Sequence, residues 1–236
     1  MEDDTDQSVR QGLGIIADGC TGQDAPSLLH GPVQSPASLP SGRLPADHGR
    51  QGIGRPHGGG GEAVREGRVT VGRDATLFYA PLPVLLFADS AFRSAFAIEL
   101  ADETSRLFYS DILACGRAAR GERFAYRLYR SRVYITLGGI LLYADNFRFA
   151  PQEDGADCEG FTQYEGYTHL GNYMLCHFPV REEDLRACFR PILDVHDCQA
   201  GLTRFGETNL CLKVLANGSE MLVALQARIK DFLRCA

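Results

Sequence analysis

Tryptophan is absent from this 236-residue chain, and only Lys213 and Lys230 among its 24 basic side chains are lysines. The missing indoles argue against a sugar-binding cleft, whose subsites use large aromatic faces. No apolar stretch approaches the roughly 18 residues that span a bilayer, and the N-terminus lacks the basic-then-apolar order of a secretory signal, so a cytoplasmic location is expected. There is no nucleophile elbow, phosphate-cradling glycine loop, H-E-x-x-H or zinc-finger spacing, which removes the hydrolase, nucleotide and zinc-site readings those motifs carry. The eight cysteines form no C-x-x-C pair and are expected to be reduced and mostly buried as small hydrophobes. A net charge of -6 disfavours nucleic acid or an anionic membrane as partner.

Aromatics are missing from the whole first third: all 22 Phe and Tyr residues lie from Phe78 onward. Residues 1 to 61 instead hold 13 of the 26 glycines and six of the 11 prolines. Such a segment buries too little apolar surface to offset the ordering of its backbone. It is expected to be a disordered or non-native N-terminal segment, with one folded β domain over 62–236.

What is present from Arg68 onward has the period of strands. Val69 and Val71 alternate with polar neighbours, Asp74 marks a turn, and Ala75 to Tyr79 forms a second strand. Ile98 and Leu100 repeat the alternation, and Leu107-Phe108-Tyr109 repeats Leu77-Phe78-Tyr79 at an offset of 30 residues. Leu141-Leu142-Tyr143 is a looser third copy. A fixed period is what stacked β-helix-like layers produce, and an antiparallel meander of similar hairpins fits the spacing equally. Phe124 to Ile135 and Gly139 to Phe149 read as a strand pair joined at Gly138-Gly139, and Tyr164 to Phe178 resumes strand character.

Two helices come late. Leu185, Cys188, Phe189 and Ile192 recur at helical spacing behind the acids Glu182, Glu183 and Asp184, with Pro191 limiting the end. After a strand at Asn209 to Leu215, Asn217 and Glu220 have the spacing of a capping box, and Met221, Leu222, Leu225, Ile229 and Leu233 stripe one face. The fold class expected is mainly β with two C-terminal α-helices.

Chemistry concentrates between Asp111 and Glu122, sequence DILACGRAARGE. An acid in an apolar strand needs a partner, which Arg117 is placed to supply. The segment reads either as a structural ion pair fixing a loop or as part of a water-lined passage whose carboxylates hold a divalent cation in transit. His169, Cys176-His177 and His196-x-Cys198 are weaker candidates, since they stand outside a recognised ligand spacing, and Cys176 and His177, adjacent on one strand, point to opposite faces. Arg120, Arg123, Arg127, Arg130 and Arg132 alternate with Phe124, Tyr126 and Tyr129, a pattern that reads as a solvated edge or a protein interface.

The segments ATLFYAPLP at 75–83, DILACGRAARGE at 111–122, ILLYAD at 140–145, YTHLG at 167–171 and NLCLKV at 209–214 together resemble the UreD/UreH family of urease accessory proteins. The resemblance covers about 62–236. It implies a mostly β fold of stacked layers with two late helices and no catalytic activity. The implied role is that of a scaffold aiding nickel insertion into apo-urease alongside the accessory proteins UreF and UreG, with no permanent cofactor and nickel in transit. By motif, the metal path falls on Asp111, Asp145 and Glu122, with Arg117, Cys115 and His169 as structural or channel residues. The family's "PGG-x-x-GGD" turn and "TTQ-x-x-x-K" strand are missing from 1–61, as if that quarter were N-terminally incomplete or out-of-frame. Two other functions fit the residues alone: a β-helix carbohydrate hydrolase using Asp111 and Glu122 as acid and base, and a purely structural binding module.

Overall fold

The computed structural model describes residues 62–151 and 164–236 and, as backbone, two strands nearer the N-terminus. Strand β1 is Val9–Ala17, β2 Gly52–Ile53, β3 Ala63–Val71, β4 Thr76–Tyr79, β5 Val84–Leu86, β6 Ala91–Leu100 and β7 Arg106–Ala114. They are followed by β8 Leu128–Leu137, β9 Ile140–Phe149, β10 His169–Cys176, helix α1 Glu182–Leu193, β11 Cys198–Phe205, β12 Asn209–Ala216 and helix α2 Ser219–Arg234. The architecture is mainly β with two C-terminal helices. The expected disordered or non-native stretch 1–61 lies outside the described residues apart from β1, which pairs in parallel with β3, and β2, which pairs with β5.

The strands form two sheets. One runs β1-β3-β6-β8-β9, the other β11-β12-β10-β7-β5-β2, with β4 also on β7. In the first, β3, β6 and β8 are parallel, and β9 returns antiparallel through Gly138 and Gly139. Both glycines have positive φ, the backbone a two-residue hairpin with the correct twist requires. The 30-residue repeat has a direct structural counterpart: β4 and β7 pair in parallel with Leu77, Phe78 and Tyr79 opposite Leu107, Phe108 and Tyr109. The looser copy at Leu141 to Tyr143 sits instead in the other sheet, antiparallel to β8.

Side-chain parity then builds three layers. Outward-facing Phe108, Ile112, Tyr173 and Leu175 of the second sheet pack with Leu185 and Phe189 of α1 and Leu222, Leu225 and Ile229 of α2. The opposite face of that sheet meets the first sheet in two separate apolar clusters. One joins Val69, Phe96, Ile98, Val133 and Ile135 to Leu107, Tyr109, Met174 and Cys176. The other joins Phe92, Tyr129 and Phe149 to Leu113, Cys115, Phe124 and Tyr164.

Several local expectations shift. The strand expected from Phe124 begins at Leu128, because Phe124 has a left-handed φ of 50° that extended backbone does not allow. Asn217 does not cap α2: the helix starts at Ser219 behind Gly218 with no side-chain cap, and the Asn217 amide donates to Asp197. Helix α1 runs two residues past Pro191. Strands β5 and β11 are too short or too exposed to show an apolar period.

Candidate functional site

A polar layer separates the two apolar clusters between the sheets. In the second sheet, register sets Asp111 of β7 opposite Asn172 of β10, and Asn172 opposite Lys213 of β12. In the first sheet, Arg65 of β3 lies opposite Ser94 of β6, and Ser94 opposite Ser131 of β8. Asp145 follows two residues before Phe147, the partner of Ser131 on β9. Strand alternation explains the arrangement: on β7 the inward series is Leu107, Tyr109, Asp111, Leu113, with the acid falling between members of the two clusters.

At the centre is a cavity of about 20 Å³ lined by Asp111, Ser131, Asp145, Asn172 and Lys213, with Tyr129 and Phe147 among its apolar walls. That is room for about one water-sized species. Oδ1 of Asp111 is shielded from solvent and has no hydrogen-bond partner among the described residues. Burial raises the Asp111 carboxyl to about 6; Arg65 and a hydrogen bond from Asn172 oppose the shift, Asp145 adds to it and Lys213 opposes it. Lys213 Nζ lies 3.1 Å from Asp145 Oδ2, and the Tyr143 hydroxyl donates to the same oxygen at 3.3 Å. Burial likewise pushes the nearby Cys176 thiol up to about 12 and raises Cys211, so neither offers a thiolate near neutrality.

Asp111 and Asp145, expected along one path, therefore line one cavity. Glu122 does not share it. Arg117 does not partner Asp111: its guanidinium clamps Glu122, with Nε donating to Oε2 at 2.7 Å, and lies over the Phe87 ring at 4.5 Å. Glu122 also accepts from the Ala88 backbone N–H. The pairing holds the Glu122 carboxyl below its ordinary range and Arg117 above its own, the hydrogen bond between them being the main cause in each. Asp111 and Glu122, the acid-and-base pair that a hydrolase would need, are thus split between the inter-sheet seam and a separate loop.

The loop itself accounts for the glycines of the motif. Cys115 is fully buried, receives a hydrogen bond from the Phe124 N–H on its carbonyl and donates its own N–H to Thr168. This brings Glu122 so close that a Cβ on Gly116, at φ +129°, would stand 2.2 Å from the Glu122 carbonyl oxygen. Gly121 closes the 3₁₀ turn Ala118–Arg120 in a left-handed conformation. His169 begins β10. Its Nδ1 accepts from the Gly218 N–H at 3.2 Å and meets Thr168 Oγ1 at 2.8 Å, which places the proton of the neutral ring on Nε2. Burial lowers its pKa.

Among the described residues no three of His, Cys, Asp and Glu converge as a resident metal cluster. Arg65, Ser94, Ser131, Asn172 and Lys213 escaped sequence reasoning. Their common signal is a polar residue at an inward parity position of an otherwise apolar strand.

Two facing sheets with a buried polar layer and a helical cover define a mainly β scaffold whose most distinctive feature is internal. The sequence model of the family described as UreD urease accessory protein matches residues 49–236, and the chain belongs to that family. It is 31% identical over 169 residues to urease accessory protein UreH of Helicobacter pylori (strain G27), covering 72% of this chain and 62% of that protein. It is 32% identical over 173 residues to urease accessory protein UreD of Acetivibrio thermocellus, covering 73% and 65%. A UreD of Actinobacillus pleuropneumoniae serotype 3 is 26% identical over 179 residues. The chain thus spans less than two thirds of the length of these relatives. No described helix is long and apolar enough to cross a membrane.

Proposed function

We propose that this chain is a urease maturation factor, a non-enzymatic cytoplasmic scaffold that aids nickel insertion into apo-urease and works with UreF, UreG and the urease subunits. Membership of the urease accessory family supports the process, and the polar seam supports the chemistry. The single observation that carries the metal-path reading is the pair Asp111 and Asp145 lining one water-sized cavity, with Asp111 Oδ1 unpartnered. Two carboxylates with hydroxyl and amide neighbours are a hard, sparse ligand set, suited to holding a divalent cation briefly. A transit site must bind weakly enough to release. Glu122 then belongs to the loop that fixes the end of β7 rather than to the path.

The test is urease produced in cells with this chain and the other accessory proteins, assayed for bound nickel. Asp111→Ala and Asp145→Ala are expected to cut nickel content severalfold while the chain remains soluble and folded. Equal loss of nickel loading and of folded protein would return Asp111 to a structural role.

A further inference from the structure

The seam contains two cations that are held very differently. Arg65, at the β3 end, is tied down: its guanidinium lies over the Phe92 ring at 5.5 Å, and Nε and Nη2 each donate to Ser94 Oγ at 3.4 Å. Lys213, at the β12 end, makes one ionic contact among the described residues, to Asp145, and its side chain is 48% exposed while that of Asp145 is 22% exposed. An ion pair at a solvent mouth contributes little stability and opens readily. The lysine is also conspicuous in composition, since 22 of 24 basic residues in the chain are arginine. Arginine would fork onto Asp145 through two parallel hydrogen bonds, whereas lysine offers a compact point charge on a flexible stem.

We propose that the Lys213 ammonium is a tethered counter-cation of the seam, occupying its Asp145 end until a divalent cation displaces it toward solvent, so that Lys213 sets how readily the seam takes up metal. The proposal rests on the reading of the seam as a metal path. Lys213 lines the cavity together with Asp111 and Asp145, and the free space left there is only about 20 Å³, roughly one water-sized species, so a cation held by the two carboxylates would stand against the ammonium. The ammonium and an incoming cation would also repel at contact distance. Asp111 Oδ1, sealed and without a partner, supplies an acceptor that Lys213 leaves unused. Uptake thereby exchanges one cation for another, and release lets the lysine return.

The experiment uses the full chain and Ni²⁺ alone, by equilibrium dialysis at low ionic strength and pH 8, with wild type, Lys213→Gln, Lys213→Arg, Asp111→Asn and Asp145→Asn. Lys213→Gln is expected to bind roughly tenfold more tightly, the scale of removing one charge beside a half-exposed site, and Lys213→Arg no more tightly than wild type. Amine labelling of wild type by an N-hydroxysuccinimide ester, read by mass spectrometry, gives a second measure that needs no variant. Ni²⁺ should speed acylation of Lys213 severalfold and leave Lys230 unchanged, the two being the only lysines. If Asp145→Asn weakens binding while Lys213→Gln matches wild type and Lys213 labelling ignores nickel, the counter-cation idea is overturned and the path survives. If Asp111→Asn and Asp145→Asn both bind as wild type does, or no form binds nickel, the path reading falls and this proposal with it.

Discussion

Asp111 and Glu122 stand 11 residues apart in one motif, yet the fold gives them opposite environments. Asp111 is held between sheets, where burial raises its carboxyl to about 6. Glu122 sits on a loop in the grip of Arg117, which lowers its carboxyl. Burial without a full set of partners makes a carboxylate costly and therefore available to a cation, while pairing makes it structural. A motif read as one functional block is two devices: a strand that delivers an acid to the seam and a loop that locks the strand's end.

The comparison can be broken most severely at the loop. Gly116→Ala forces a Cβ against the Glu122 carbonyl and a side chain into a left-handed backbone, so a loss of roughly 3 kcal/mol or more is expected. Urea denaturation checks it, and near-normal stability would show that the loop is not the lock described here.

Asp111 should show the opposite sign. Its folded pKa lies above the ordinary 3.8, so the folded state favours the protonated acid. The resulting cost is absent below pH 3.8, grows as pH rises through the window to about 6, and is constant above it. Asp111→Asn is therefore expected to stabilise the protein at pH 8 by up to roughly 3 kcal/mol and to give no gain near pH 3.5. Measured stability at the two pH values decides it; a destabilised Asn variant at pH 8 would mean that the seam relies on the charge.

His169 sharpens the same test. Its folded pKa is depressed by burial, so the unfolded chain binds more protons near pH 6.5 and below, and stability rises with pH there. Asp111 and His169 thus slope against each other just below pH 6, where the upper end of the Asp111 window meets the range in which the unfolded imidazole takes up protons. Removing the acid with Asp111→Asn should steepen the rise in stability with pH across that window, and His169→Gln should flatten it. The smallest effect belongs to Glu122→Gln, which loosens a solvent-screened pair. Its midpoint should fall slightly, and the difference from wild type should vanish in high salt.

Much of the fold is legible along the chain because its signals are local. Period-two alternation around Val69 and Ile98, the helical stripes behind Glu182 and Ser219, and the Gly138-Gly139 hairpin each depend on neighbours in sequence. Strand β11 escaped because Cys198 to Phe205 is largely exposed and lacks an apolar face. The mistaken Asp111–Arg117 pair has a similar origin: six residues along the chain is near, but the backbone turns at Gly116 and carries Arg117 over Phe87.

The sequence by itself determined most of the elements, the mainly β class, the family resemblance and two of the seam's carboxylates, because residue type and spacing carry those. Only the tertiary structure decided that Arg65, Ser94, Ser131, Asp145, Asp111, Asn172 and Lys213 form one polar layer. Those residues span five strands of two sheets, plus β3 and β12 at its margins, and strand register brings them together over separations of up to 148 positions. Register is a property of pairing rather than of any one strand, which is why a polar residue on an inward face becomes meaningful only beside its neighbours.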